Sequence, residues 1–156
     1  MAQGASEVDE IIIEGELQRR SVQETPTSVT VITGEELDEG RDADLYDVVD
    51  RTPGITGAHG KQGFAIRGYA QRGPTGAVGN IRGDGVTLPN DQATFYGPYG
   101  TWDLEQIEIL RGPQSTQSGR NALAGAININ TADPTYDLES KVRGFAGSRN
   151  TIGGAF

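Results

Sequence analysis

Carboxylates are the residues best suited to chemistry in this sequence, and eight of them crowd into one short stretch. A general acid–base pair or a cation site would require such groups. The same stretch has the periodicity of two short helices, where a solvated face and the helix dipole account for acidic side chains. We therefore assign no catalytic or metal-binding role to the cluster, which comprises Glu35, Glu36, Asp38, Glu39, Asp42, Asp44, Asp47 and Asp50.

The other candidates for chemistry fail on composition or on spacing. Cysteine is absent, and His59 is the only histidine, which excludes thiolate sites and metal sites built from several histidines. Gly60-Lys61 comes nearest to a phosphate-binding loop, but Gln62 follows the lysine and Ile55 occupies the place of the first glycine. The sequence thus indicates no enzyme, no resident metal and no cofactor.

One strand and two short helices are predicted in the first third of the chain. Residues 28–33 are rich in β-branched side chains and predict a strand. Thr33 and Glu36 fit a capping box for a helix that stops at Gly40, and Asp42 is the predicted N-cap of a second helix. The apolar face of that second helix would consist of Leu45, Val48 and Val49.

Short strands separated by turns are predicted for the rest of the chain, which is rich in glycine with 23 such residues. These strands cover residues 64–67, 81–88, with a turn at Gly83-Asp84-Gly85, 107–111 and 126–131. Asp103 to Gln106 is predicted to form one helical turn before the third of them, and the fourth alternates as a half-buried strand. Residues 141–147 alternate more weakly, as a single strand of a membrane barrel does.

The composition argues against some partners and favours a sheltered location. The formal net charge of -9 opposes binding to nucleic acid, whose affinity for proteins comes from Lys and Arg neutralising phosphates. No apolar run approaches the ~18 residues of a membrane helix. Apolar residues make up only 35% of the chain, so its core is small. Such a domain suits a polar lumen better than free solution.

Four motifs in a fixed order carry a resemblance to a known family. They are Phe64-Ala65-Ile66-Arg67-Gly68, Asp84-Gly85-Val86-Thr87-Leu88-Pro89, the stretch from Asp103 to Gln114 that includes Leu110-Arg111-Gly112-Pro113, and the stretch from Gly119 to Thr131. One of these alone is weak evidence. All four together, in this order and spacing, closely resemble the plug domain of TonB-dependent outer-membrane receptors, over residues 9 to about 135.

The resemblance implies an α+β fold, a small mixed β-sheet with short interspersed helices, truncated at the start of a barrel of about 22 strands. It divides the chain into a tail with a TonB-box-like segment (1–15), a linker (16–27), the plug (28–135) and the beginning of the first barrel strand (136–156). It also implies a gate for active import in the outer membrane of a Gram-negative bacterium. The N-terminus would then lie in the periplasm.

Three sets of site residues follow from the resemblance. The C-terminal domain of TonB would add as a strand to Asp9, Glu10, Ile11, Ile12, Ile13 and Glu14. Arg67 and Arg111 would pair with glutamates of the receptor's own β-barrel, and both should be solvent-exposed in this chain. A small ligand would contact two apical loops, residues 73–80 and 92–102, the latter through Phe95, Tyr96, Tyr99 and Trp102.

The ligand that the resemblance implies first is a ferric siderophore, since aromatic loop tips suit a flat, partly apolar chelate. Import of cobalamin, a sugar or another metal complex stays open, as does an isolated plug that acts as a soluble periplasmic binding module. The aromatic tips can equally pack against a barrel wall. Ile11 to Ile13 can equally form the first strand of the plug in its resting state.

Overall fold

The computed structural model describes residues 12–13, 20–21, 28–40, 42, 44–57, 63–70, 79–88, 100–114, 122–136, 140–148 and 151–155. The elements in these ranges are β1 (Ile12–Ile13), β2 (Arg20–Ser21), β3 (Ser28–Thr33), α1 (Gly34–Gly40), α2 (Leu45–Arg51), β4 (Ile55–Gly57), β5 (Phe64–Ile66), β6 (Tyr69–Ala70), β7 (Gly79–Gly83), β8 (Val86–Thr87), β9 (Leu104–Arg111), β10 (Gly125–Thr131), β11 (Arg143–Gly147) and β12 (Thr151–Ala155).

A five-stranded sheet in the order β3-β9-β10-β7-β8 organises the described residues. β9 runs antiparallel to both β3 and β10, whereas β10 runs parallel to β7. The predicted turn at Asp84 and Gly85 joins β7 to the antiparallel β8, and both of its residues have positive φ. A mixed sheet with two short helices confirms the predicted α+β class.

Three smaller antiparallel sheets accompany the main one. β4, β5 and β6 form the first, and β1 pairs with β2 in the second, so Arg20–Ser21 takes strand form inside the predicted linker. In the third, β11 pairs with β12 from Arg143 opposite Ala155 to Gly147 opposite Thr151. The predicted single strand over residues 141–147 is therefore one half of a hairpin.

The start of α1 confirms the predicted capping box. The Thr33 N–H donates to Glu36 Oε2 at 3.1 Å, and the Glu36 N–H donates to Thr33 Oγ1 at 3.3 Å. These reciprocal bonds satisfy backbone donors that the first helical turn leaves free. The helix ends at Gly40, as predicted.

The predicted N-cap of α2 was wrong by two residues. Asp44 caps the helix, because its carboxylate accepts the N–H groups of Tyr46 at 2.9 Å and Asp47 at 3.3 Å. The Asp44 N–H in turn donates to the Asp47 carboxylate at 3.4 Å. Asp42 lies too far upstream of Leu45 for this role, and it forms an ion pair with Arg51 at 2.6 Å.

The hydrophobic core lies where both helices and alternate strand positions meet. The predicted face of α2, Leu45, Val48 and Val49, is fully buried. The strands contribute mainly isoleucines, which suit the pleated surface of a sheet. The core cluster is completed by Ile32, Leu37, Tyr46, Ile55, Phe64, Ile66, Ile81, Ile107, Ile109, Ala124, Ile127 and Ile129.

Two predictions for the third and fourth strands fail for the same reason. The helical turn over Asp103 to Gln106 is absent, because β9 already begins at Leu104, which pairs with Thr131. β10 buries every residue except Thr131, whereas the sequence predicted a half-buried strand. Partners on both sides of each strand override the local pattern, since β10 lies between β9 and β7.

Candidate functional site

The strand directions give the main sheet two distinct ends. Pairing places Ser28, Gly125 and Gly79 beside or near Arg111 at one end, which we call the arginine end. Thr131 pairs with Leu104 at the other, which we call the tryptophan end because Trp102 precedes this pair. Six residues of extended strand separate the two ends by about 20 Å.

Arg67 and Arg111 lie together at the arginine end. Arg67 occupies the turn between β5 and β6 with φ of 50°, and its N–H donates to the Gly54 carbonyl at 2.8 Å. Arg67 Nη1 lies 3.9 Å from where a Cβ on Gly112, the neighbour of Arg111, would be. Arg111 Cδ lies 3.5 Å from where a Cβ on Gly54 would be. The fold therefore brings these two predicted residues to one place.

The two arginines differ in exposure. Arg67 is exposed, as predicted, whereas Arg111 is only partly exposed. Arg111 donates from Nη1 to the Pro53 carbonyl at 2.5 Å and from Nη2 to Thr30 Oγ1 at 2.7 Å, and its buried Nε has no hydrogen-bond partner. Within the described residues neither arginine forms an ion pair. Their pairing with barrel glutamates stays a prediction.

The predicted ligand loops do not converge where the structure describes them. Phe95, Tyr96 and Tyr99 lie outside the described residues. Trp102 is partly buried at the tryptophan end, whereas Gly79, at the described end of the 73–80 loop, lies at the arginine end. Trp102 is therefore about a sheet length away from that part of the other loop.

The predicted TonB-binding segment is described at two residues, and Asp9, Glu10, Ile11 and Glu14 lie outside them. Ile12 pairs with Ser21 and Ile13 with Arg20, so β2 occupies an edge of this segment. Ile13 is fully buried, although it does not belong to the core cluster. In this conformation the segment has the strand form that the sequence left open.

A buried polar network on the main sheet was missed by the sequence interpretation. Glu108 is fully buried, and its carboxylate accepts Gln106 Nε2 at 2.9 Å and Asn128 Nδ2 at 3.0 Å. These residues alternate with core isoleucines along β9 and β10, and Asn130 continues the series. The alternation was the available signal, but it predicts a solvated face, whereas this face is buried.

The tryptophan end contains a cavity of about 590 Å³ between α1, the start of β9 and the start of β11. The Arg143 guanidinium lies over the Trp102 ring, with its carbon 5.2 Å from the ring centroid. Arg143 also forms an ion pair with Asp38 of α1. The cavity is lined by both charge signs and by Trp102, with Glu35, Asp103, Glu105 and Lys141 among the charged residues.

Two negative observations apply to the described part of the chain. It contains no group of three or more His, Cys, Asp or Glu residues placed to hold a metal ion. None of its helices has both the length and the apolar character needed to cross a membrane.

Comparison with known sequences gives a consistent set of matches. The family described as TonB-dependent Receptor Plug Domain matches residues 21–126. The ferrioxamine B receptor of Salmonella typhimurium is 29% identical over 167 residues, which cover 99% of this chain and 23% of the receptor. The ferric-pyoverdine BN7/BN8 receptor of Pseudomonas putida is 31% identical over 134 residues, 86% of this chain and 16% of the receptor.

Solved structures share the fold. The ferripyoverdine receptor of the outer membrane of Pseudomonas aeruginosa has a TM-score of 0.75 at 24% identity, covering 90% of this chain and 19% of the receptor. The ferric yersiniabactin uptake receptor of Yersinia pestis has a TM-score of 0.62 at 26% identity, covering 81% of this chain and 20% of the receptor. In all four comparisons the chain spans less than a quarter of its relative's length.

Proposed function

The chain belongs to the TonB-dependent receptor plug domain family, and we propose from this premise that it is the gate of an outer-membrane receptor that imports a ferric siderophore. The family match over residues 21–126 is the observation that carries the proposal. Relatives of similar identity are named as receptors for ferrioxamine and for ferric pyoverdine. At the family level these are transport receptors, and we propose no covalent chemistry for this chain.

The arginine end is the proposed contact with the barrel wall. Arg67 has an exposed guanidinium and no ion pair within the described residues, so it can offer a bidentate face to a glutamate of the barrel. Two nitrogens of Arg111 already donate to Pro53 and Thr30, so a barrel carboxylate would compete with these acceptors. Arg67 is therefore the stronger candidate for pairing, with Arg111 beside it.

The segment from Asp9 to Glu14 is the proposed binding site for the C-terminal domain of TonB, and it would reach that partner in the periplasm. Strand addition uses backbone hydrogen bonds and demands little of side chains. At about 1 kcal/mol net per hydrogen bond, five bonds contribute about 5 kcal/mol, so binding is weak and reversible. Because Arg20–Ser21 pairs with Ile12–Ile13 here, a TonB strand either replaces β2 or adds at the other edge of β1.

The loop over residues 92–102 is the proposed ligand surface. Phe95, Tyr96 and Tyr99 are its candidate contacts, because aromatic side chains bury much area against a flat chelate. Residues 100–102 are the described part of this loop, and Trp102 lies under Arg143. A ligand held by the three other aromatic residues would thus act on a segment that connects directly to the tryptophan end.

The proposal is tested by iron uptake through a full-length receptor that contains this chain. Ile12→Pro removes a backbone donor from the TonB-binding segment, so we expect uptake of radiolabelled ferric siderophore to fall to background while ligand binding to whole cells is unchanged. Ile12→Val is the matched control, and it should transport normally. Normal uptake by the proline variant would refute the assignment of residues 9–14.

The same assay identifies the ligand when it is run as a growth-rescue panel. Ferrioxamine B, ferric pyoverdine, hemin, cobalamin and a sugar are supplied one at a time to a strain that depends on this receptor. Hemin belongs in the panel because a hemin receptor of Yersinia pestis is 31% identical over 135 residues. Rescue by either siderophore supports the proposal, and rescue only by hemin, cobalamin or the sugar would contradict it.

A further inference from the structure

Arg143 contacts two separate parts of the molecule with one side chain. Its guanidinium forms an ion pair with Asp38 of α1 and lies over the Trp102 ring at 5.2 Å from the centroid. The Arg143 side chain is 34% exposed and that of Asp38 is 62% exposed. We call Arg143, Asp38 and Trp102 the Arg143 junction, which joins β11, α1 and the end of the 92–102 loop.

Trp102 sits in a short segment that is held on both sides. Before it, the Thr101 hydroxyl donates to the Asp42 carbonyl at 2.5 Å. After it, Asp103 has φ of 62°, which is uncommon for a residue with a side chain, and its carbonyl accepts the Ala132 N–H at 3.0 Å. The backbone on both sides of Trp102 is thus fixed to the rest of the fold, and the Arg143 guanidinium lies over its ring.

Among the described residues, α1 is the first helix in chain order. It follows β3 without a linker, and within the described part of the chain β3 lies at the edge of the main sheet, paired with β9. A Cβ on Gly34, the first residue of α1, would come within 2.6 Å of the Leu104 carbonyl oxygen, so this junction is tightly packed. A pull along the N-terminal segment reaches β3 and then α1, which carries Asp38.

We propose that Arg143 couples the 92–102 loop to α1, because the same guanidinium serves Trp102 on one side and Asp38 on the other. Moving Trp102 changes how Arg143 holds Asp38, and moving α1 changes how Arg143 covers Trp102. The use of this coupling in transport rests on the proposed function, in which the loop binds ligand and the N-terminal segment is pulled. Contacts this exposed are weak individually, as a releasable connection requires.

Two readouts on this chain test the physical connection. Trp102 is the only tryptophan, so acrylamide quenching of intrinsic fluorescence reports its exposure without ambiguity. Amide hydrogen exchange over residues 34–40 reports the opening of α1. For Arg143→Ala we expect faster quenching of Trp102 and exchange in α1 about two- to fivefold faster, as exposed ion pairs and cation–π contacts allow. Arg143→Lys keeps the charge but loses the planar stacking surface, so only the quenching should rise.

The coupling itself is tested at a distance. Asp38→Asn should increase the quenching of Trp102 in the otherwise unsubstituted chain. It should have no effect on this quenching in the Arg143→Ala background, because Arg143 is the shared partner. Glu39→Gln and Lys141→Ala are matched controls on the same helix and beside the same cavity, and both should leave the two readouts unchanged. The proposal would be overturned if Trp102 were quenched equally in the Asp38→Asn variant and in the unsubstituted chain. It would also be overturned if Asp38→Asn raised the quenching by the same amount in the Arg143→Ala background.

These measurements need neither TonB nor ligand. If the unsubstituted full-length receptor imported no ferric siderophore but the coupling were intact, the proposed function would be rejected and the Arg143 junction kept. If transport were normal but the coupling were absent, the Arg143 junction would be rejected and the proposed function kept.

Discussion

The two faces of the main sheet are both buried, but they are built from different chemistry. One face presents isoleucines of β9 and β10 to the helices, namely Ile107, Ile109, Ile127 and Ile129. The other presents the alternating residues Gln106, Glu108, Asn128 and Asn130, with the buried pair Leu110 and Ala126 nearer the arginine end. Burial stabilises the first face directly, whereas the second depends on hydrogen bonds that offset the cost of removing polar groups from water.

The two faces therefore differ in the free energy that exposure to water costs. An apolar face loses its stabilisation whenever it is exposed to water. A polar face can exchange its hydrogen bonds for bonds to water at small net cost. The isoleucine face therefore keeps the strands and helices together by burial, whereas the polar face is stabilised by hydrogen bonds within the sheet, along β9 and between β9 and β10.

The largest expected effect is on the apolar face. Ile109 is fully buried between the neighbouring strands β3 and β10. Ile109→Ala should lower the free energy of unfolding by about 2–5 kcal/mol, because it removes transfer energy and leaves a cavity. Urea unfolding of the chain measures this, with Ile152→Ala as control at a side chain that is 84% exposed. A loss below about 1 kcal/mol at Ile109 would show that this face does not dominate stability.

A smaller effect is expected on the polar face. Glu108→Ala removes the acceptor of Gln106 Nε2 and Asn128 Nδ2, and the loss of a partner by a buried polar group costs about 1–3 kcal/mol. Glu105→Ala, at the exposed residue three positions earlier on β9, should change little and controls for the loss of a carboxylate. If Glu108→Ala destabilised the chain as much as Ile109→Ala does, the proposed contrast between the faces would be lost.

Local sequence predicted the elements whose ends are decided locally. The strand over 28–33, the capping box of Thr33 and Glu36, and the buried face of α2 were all predicted from spacing and residue type. Strand pairing decided the rest: the start of β9 at Leu104 and the burial of Glu108 depend on neighbouring strands, which a linear pattern does not contain.

The candidate sites show the same limit. The pairing role of Arg67 and Arg111 came from family resemblance, and their meeting was not predicted, because no local pattern connects a turn after β5 with the end of β9. The contact of Arg143 with Trp102 was not predicted at all, since it joins β11 to the turn before β9, which only the fold brings together. Pairs close in sequence, such as Thr33 and Glu36, can be predicted from spacing, whereas pairs distant in sequence require the topology.

The smallest effect tests whether the apolar face depends on the helix that covers it. Asp44 caps α2 through two backbone N–H groups, so Asp44→Ala should cost about 1 kcal/mol of unfolding free energy. Asp42 is the matched carboxylate: it is buried, but its partner Arg51 is 42% exposed, so Asp42→Ala should cost less, and its effect should shrink at high salt more than that of Asp44→Ala. Urea unfolding at low and high salt separates the two variants. If Asp44→Ala costs nothing, the isoleucines keep their cover without the cap, and packing alone holds α2 on the sheet.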